Sequence, residues 1–121
     1  MMTPMSMLEL SNEAKDDILR YVSEFSGVPV DALLSKTRHS ANASAWRSLA
    51  YLILRESGCT YQRIGDYFAG RGSSTILLGC KRARAMVDND ELSKVAWGNL
   101  LNKAKQIMNH NNKQERTTGN A

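Results

Sequence analysis

Apolar residues recur at three- and four-residue spacing in short blocks along this chain, and polar stretches holding Gly, Ser, Asn or Asp separate the blocks. That period predicts an all-α chain, a compact helical domain of about five to six helices. Ala14, Ile18, Tyr21, Val22 and Phe25 make the first stripe, opened by Ser11 or Asn12 as cap and closed by Gly27. Glu13, Asp16 and Asp17 lie where the helix dipole favours acids. VPVDALLSK predicts a short turn and a short helix capped by Asp31, which carries Val30, Leu33 and Leu34 to the core. KTRHSANA, residues 36 to 43, has no apolar period and reads as a loop. Ser44 to Ser57 reads as a long helix with Trp46, Leu49, Ala50, Leu52, Ile53 and Leu54, a face broad enough for a central helix, and Gly58 stops it.

Thr60 to Val87 contains two further helical patterns joined by a tight Gly-Arg-Gly turn. Thr60 caps the first, whose face is Tyr61, Ile64, Tyr67 and Phe68, and Gly70 ends it. Ser73 or Ser74 caps the second, in which Ile76, Leu77, Cys80, Ala83 and Val87 face the core. The opposite face carries Ser74, Thr75, Gly79 and Arg82, with Lys81 and Arg84 at its flanks. Small hydroxyls at a helix start can meet base edges or phosphates, and long cations further along reach the backbone, so the pair reads as a helix-turn-helix. The same spacing also suits a surface helical hairpin. DNDE at 88 to 91 then caps a last helix from about Glu91 to Met108, with Leu92, Val95, Ala96, Asn99 or Leu100, Lys103 and Ile107 closing the core and Trp97 half buried. The expected organisation is a loose lead at 1–10, one folded domain at 11–108 and a disordered polar tail at 109–121.

Charge changes this picture. Residues 1 to 35 carry two cations against six acids, whereas residues 36 to 87 carry nine cations against Glu56 and Asp66. The basic block coincides with the helix-turn-helix and its approach, which points to a polyanionic partner. Cys59 and Cys80 read as buried free thiols, and His39 and His110 are isolated, so no metal or other cofactor is expected. No apolar run of membrane-spanning length and no signal-peptide pattern occur, which predicts a cytoplasmic, nucleoid-associated protein with no membrane partner. Without a paired acidic constellation, a Ser-His-Asp set or a metal cluster, no enzyme is expected.

The stretch IGDYFAGRGSSTILLGCKRA resembles the signature of the bacterial chromosomal replication initiator DnaA, in which an Ile-Gly helix leads to a Gly-Arg turn, a Thr-rich helix start and a basic segment. Upstream, Val-x-x-Leu-Leu-Ser-Lys followed by an arginine is similar to the start of that family's C-terminal DNA-binding domain, and the resemblance spans about residues 12 to 107. It implies double-stranded DNA as partner, with Arg38 on a basic loop reaching the minor groove and Arg47 on phosphate. Gln62, Arg71, Gly72, Ser73, Ser74, Thr75, Lys81 and Arg82 complete the expected DNA-binding set. The basic loop is one residue longer than the common form, and Ala45 or Ser44 stands where the family has a second arginine. Gly72 and Ser73 stand where the family's Gly-Arg-Asp-His-Thr-Thr has Asp and His, so the base code is altered. This sequence has no G-x-x-x-x-G-K-[ST] phosphate loop, which implies a stand-alone module without nucleotide. Its expected role is regulation of replication initiation or transcription, the replication or transcription machinery being a further partner. The alternative is a protein-interaction module that regulates an initiator or transcription complex without reading DNA.

Overall fold

The computed structural model describes residues 11–35 and 41–120, the side chains of Ala41 and of 110–120 excepted. Among them are six helices and no strand: α1 Asn12–Ser26, α2 Val30–Leu34, α3 Ala41–Glu56, α4 Tyr61–Tyr67, α5 Ser73–Asn89 and α6 Glu91–Asn120. Helix α3 is the hub, packing on all five others and most extensively on α5, while α1 lies along α6. Leu49, Ala50, Ile53 and Leu54 of α3 are buried to 2% exposure or less, which is why its apolar face had to be broad.

Local chemistry sets most of the helix ends. The Ser11 hydroxyl accepts from the Ala14 N–H at 3.1 Å and so caps α1, and Gly27 at φ 79° closes that helix in the left-handed region. Asp90 ends α5 and opens α6, its carboxylate accepting from both the Ser93 N–H and the Ser93 hydroxyl. Helix α2 differs from expectation: Pro29 occupies the cap position, and Asp31 lies inside the first turn. Helix α3 begins at Ala41, within the stretch read as loop, and its first turn brings Ala43 into the core.

Other differences concern which face turns inward. Leu19 and Lys15 join the buried side of α1, whereas Phe25 is 40% exposed and leans on the Trp46 ring. On α6 the buried positions are Ala96, Leu100 and Ala104, while Leu92 and Val95 are exposed. Both sets have helical spacing, and only the placement of α1 and α5 against α6 chooses between them. Backbone helix also continues past Met108, through the stretch read as a disordered tail. Extending a nucleated helix costs far less than starting one, and Lys113, Gln114, Glu115 and Arg116 are ordinary helix formers.

Burial leaves a pH signature in the core. It pushes the Cys80 thiol up from 9.0 to about 11, raises Tyr51, and raises Tyr67 together with the hydrogen bond that the Tyr67 hydroxyl donates to Asp16. All three are neutral acids whose folded pKa exceeds the unfolded one, so the unfolded state releases its protons first. Their stabilisation is complete below about pH 8.5 and is lost as pH rises through the folded values. Urea midpoints are expected to fall steeply between about pH 9 and pH 11, with Cys80 alone contributing roughly 2 to 3 kcal/mol. A midpoint constant across that range would contradict this reading.

Candidate nucleic-acid interface

The turn between α4 and α5 is built around a glycine inside the first helix. Thr60 caps α4 by accepting from the Arg63 N–H at 3.2 Å, and the chain leaves the helix at Phe68. Phe68 is fully buried, edge-on to Tyr51 at 4.8 Å and to Tyr67 at 5.5 Å, so it anchors the turn in the core. Ala69 at φ 63° and Gly70 at φ 76° reverse the chain. The Arg71 N–H then donates to the Gly65 carbonyl at 2.9 Å, and a Cβ at Gly65 would lie 2.0 Å from the Arg71 carbonyl oxygen. Only a glycine at 65 lets the turn fold back this closely.

Gly72, at φ −70° and ψ 154°, is the cap residue of α5, the position expected of Ser73 or Ser74. The core side of α5 is Ile76, Gly79, Cys80, Ala83 and Val87. Two expectations therefore exchange places: Leu77 is 36% exposed, and Gly79, assigned to the polar face, is buried. The cause is Tyr51, whose ring would lie 2.5 Å from a Cβ at Gly79. The α5 backbone lies against the Tyr51 ring there, and any larger residue at 79 would have to displace that buried ring.

Gln62, Gly72, Ser73, Ser74, Thr75, Lys81 and Arg82 are all exposed. Beside them a cleft of about 230 Å³ opens between α3 and α5, walled by Ser44, Arg47, Ser48, Tyr51, Arg71, Thr75, Leu78, Gly79 and Arg82. The charges of Arg71 and Arg47 lower the Tyr51 pKa against the larger effect of its burial. Ser44, Ser48, Tyr51 and Leu78 were not legible as site residues. Tyr51 and Leu78 look like core letters in the sequence, and the serines carry no pattern.

Two residues of the expected DNA-binding set bond the protein itself. Arg47 is 6% exposed; its Nε donates to the Leu33 carbonyl at 2.8 Å and its Nη2 to the Ala32 carbonyl at 2.7 Å. Arg71 is partly buried, and its Nη2 donates to the Ser35 carbonyl at 2.7 Å, while its buried Nε has no hydrogen-bond partner. The carbonyls left open at the end of α2 are thus met by two guanidinium groups. This fixes where the chain leaves α2 for the basic segment at 36–40, and Arg38 lies outside the described residues. Arg84, expected at the flank of the reading face, pairs with Glu56 at 3.2 Å and covers the Trp97 ring at 5.3 Å.

The bacterial dnaA protein helix-turn-helix family matches residues 15–83, from the first turn of α1 into α5. This chain belongs to that family. The chromosomal replication initiator protein DnaA of Nostoc sp. (strain PCC 7120 / SAG 25.82 / UTEX 2576) is 27% identical over 90 residues, 74% of this chain and 19% of the relative. The chain therefore spans about a fifth of that relative's length. The DnaA-family match holds the whole α4–turn–α5 unit up to Ala83, including Gly65, Phe68, Arg71 and Gly79, the residues that set its geometry. Helix α6 lies beyond it. No helix among the described residues is long and apolar enough to cross a membrane.

Proposed function

We propose that this chain binds double-stranded DNA by laying α5 in the major groove, with an altered base code, and that it serves in control of replication initiation or transcription. The observation that carries the reading is the exposed start of α5. Gly72, Ser73, Ser74 and Thr75 lie free of the core about two to three turns before exposed Lys81 and Arg82, on a helix-turn-helix of the DnaA family. Hydroxyls at the N-terminal end of a recognition helix reach base edges and phosphates, and cations further along hold the backbone. Arg47 supports the fold in this account, and Arg71 chiefly sets the turn. The phosphate contacts fall to Lys81, Arg82 and the outer edge of Arg71, and Arg38 keeps the minor-groove role that the resemblance implies. Where the family has Asp and His, Gly72 offers no acceptor to a cytosine amino group and Ser73 offers no ring.

The test is a duplex titration over salt. With about three to four phosphates neutralised, log K should fall against log salt with a slope of roughly −2.7 to −3.6. A flat response would remove the reading. The altered code is tested by comparing the family's site with a scrambled duplex for the native chain and for a Gly72→Asp, Ser73→His double variant. Gly72 has a side-chain-compatible φ and open space where a Cβ would go, so the double variant should fold. Preference for the family's site should appear only in that variant, worth about 2 to 6 kcal/mol for two contacts. Strong preference in the native chain would refute the altered code.

A further inference from the structure

Leu78 is 61% exposed, the most exposed large apolar side chain on α5. At about 100° per residue, the buried arc of Ile76, Gly79, Cys80, Ala83 and Val87 leaves Leu78 near the middle of the opposite face. Ser74 precedes it by one turn and Arg82 follows it by one turn. A lone exposed leucine is ordinary on a protein surface. This one is held outward, because the next residue, Gly79, is pressed against the Tyr51 ring and α5 cannot roll to bury it. It also walls the same cleft as Arg71, Thr75 and Arg82, so what reaches Leu78 must suit cations on the same surface.

We infer that Leu78 reads a thymine methyl group near the centre of the bound site. This rests on the proposed entry of α5 into the major groove. A side chain at the middle of that face meets base edges, and the thymine C5 methyl is the apolar group those edges present. A purine there presents its N7 acceptor to the isobutyl group, and cytosine presents only a C5–H in place of the methyl, so no other base supplies the same apolar contact. Leu78 therefore selects for thymine without donating or accepting.

The test starts from duplexes selected by the full chain from a random pool. Each thymine of the selected site is then replaced by deoxyuridine, which removes only the methyl group, and dissociation constants are measured for the native chain and for Leu78→Ala. One central replacement should weaken the native chain about fourfold, the value of one methyl-sized apolar contact. The same replacement should leave Leu78→Ala within about 1.5-fold. Leu78 is exposed, so the variant is expected to fold, and the uracil series on the native chain decides the matter if it does not. A site with no central thymine, a flat uracil series, or an equal weakening in Leu78→Ala overturns the inference while duplex binding stands. Failure to enrich any duplex overturns the DNA reading and this inference together.

Discussion

Gly65→Ala should cost about 2 to 4 kcal/mol and lower the melting temperature by roughly 10 to 25 °C. The added methyl carbon would lie 2.0 Å from the Arg71 carbonyl oxygen and 3.1 Å from its carbon, and both are backbone atoms that no rotamer change can move. Relief requires opening the turn, which breaks the 2.9 Å bond from the Arg71 N–H to the Gly65 carbonyl and draws the Arg71 side chain off the Ser35 carbonyl. Helix propensity works the other way, since alanine is favoured over glycine by about 1 kcal/mol inside a helix. The clash exceeds that gain. Gly98 supplies the matched control: it is exposed on α6 with nothing near an added Cβ, so Gly98→Ala should raise stability by up to about 1 kcal/mol. Thermal unfolding followed by circular dichroism separates the two. Equal melting temperatures for Gly65→Ala and Gly98→Ala would show that the turn does not depend on close approach at 65.

Arg47→Ala is the second large effect, and it differs in kind from the expectation for a phosphate ligand. Removing a phosphate ligand from the surface would weaken every duplex equally and leave the fold intact. Arg47 instead directs its guanidinium at the Ala32 and Leu33 carbonyls while almost wholly buried. Hydrogen bonds from a charged donor are worth about 1.5 to 3 kcal/mol each, and the desolvation of the guanidinium offsets part of this. A net destabilisation of about 2 to 4 kcal/mol follows, with α2 and the start of the basic segment released. Arg47→Lys should recover less than half, because one ammonium cannot match a planar fork aimed at two neighbouring carbonyls. Urea denaturation measures the stability, and duplex titration below the unfolding range measures the binding. A fully stable Arg47→Ala whose affinity for all duplexes has dropped about tenfold or more would restore the phosphate role.

Arginines were the least legible letters in this sequence. Arg47, Arg71, Arg82 and Arg84 all fall in the basic block. Arg82 stays in the exposed role the block suggests, whereas Arg47 and Arg71 bond the end of α2 and Arg84, though exposed, pairs with Glu56. Charge along a chain says nothing about which carbonyls fold within reach of it. Side-chain caps depend on bonds to residues three positions away, so Thr60 could be read directly and Ser11 as one of two candidates, whereas the caps expected at Asp31 and at Ser73 or Ser74 fall on Pro29 and Gly72.

The sequence by itself determined the helical class, the core faces of α3 and α4, and the position of the turn, because those depend on apolar spacing and on interactions within a few residues. It also carried the DnaA-family resemblance in IGDYFAGRGSSTILLGCKRA, borne out by the family match over residues 15–83. Tertiary structure alone decided that Gly79 faces inward and Leu77 outward, that Leu92 and Val95 of α6 remain exposed, and that Arg47 serves the fold. Each of those outcomes depends on an atom brought close from a distant part of the chain. The Tyr51 ring against Gly79 and the α2 carbonyls against Arg47 are set by how the helices cross, and that crossing is a property of the whole core.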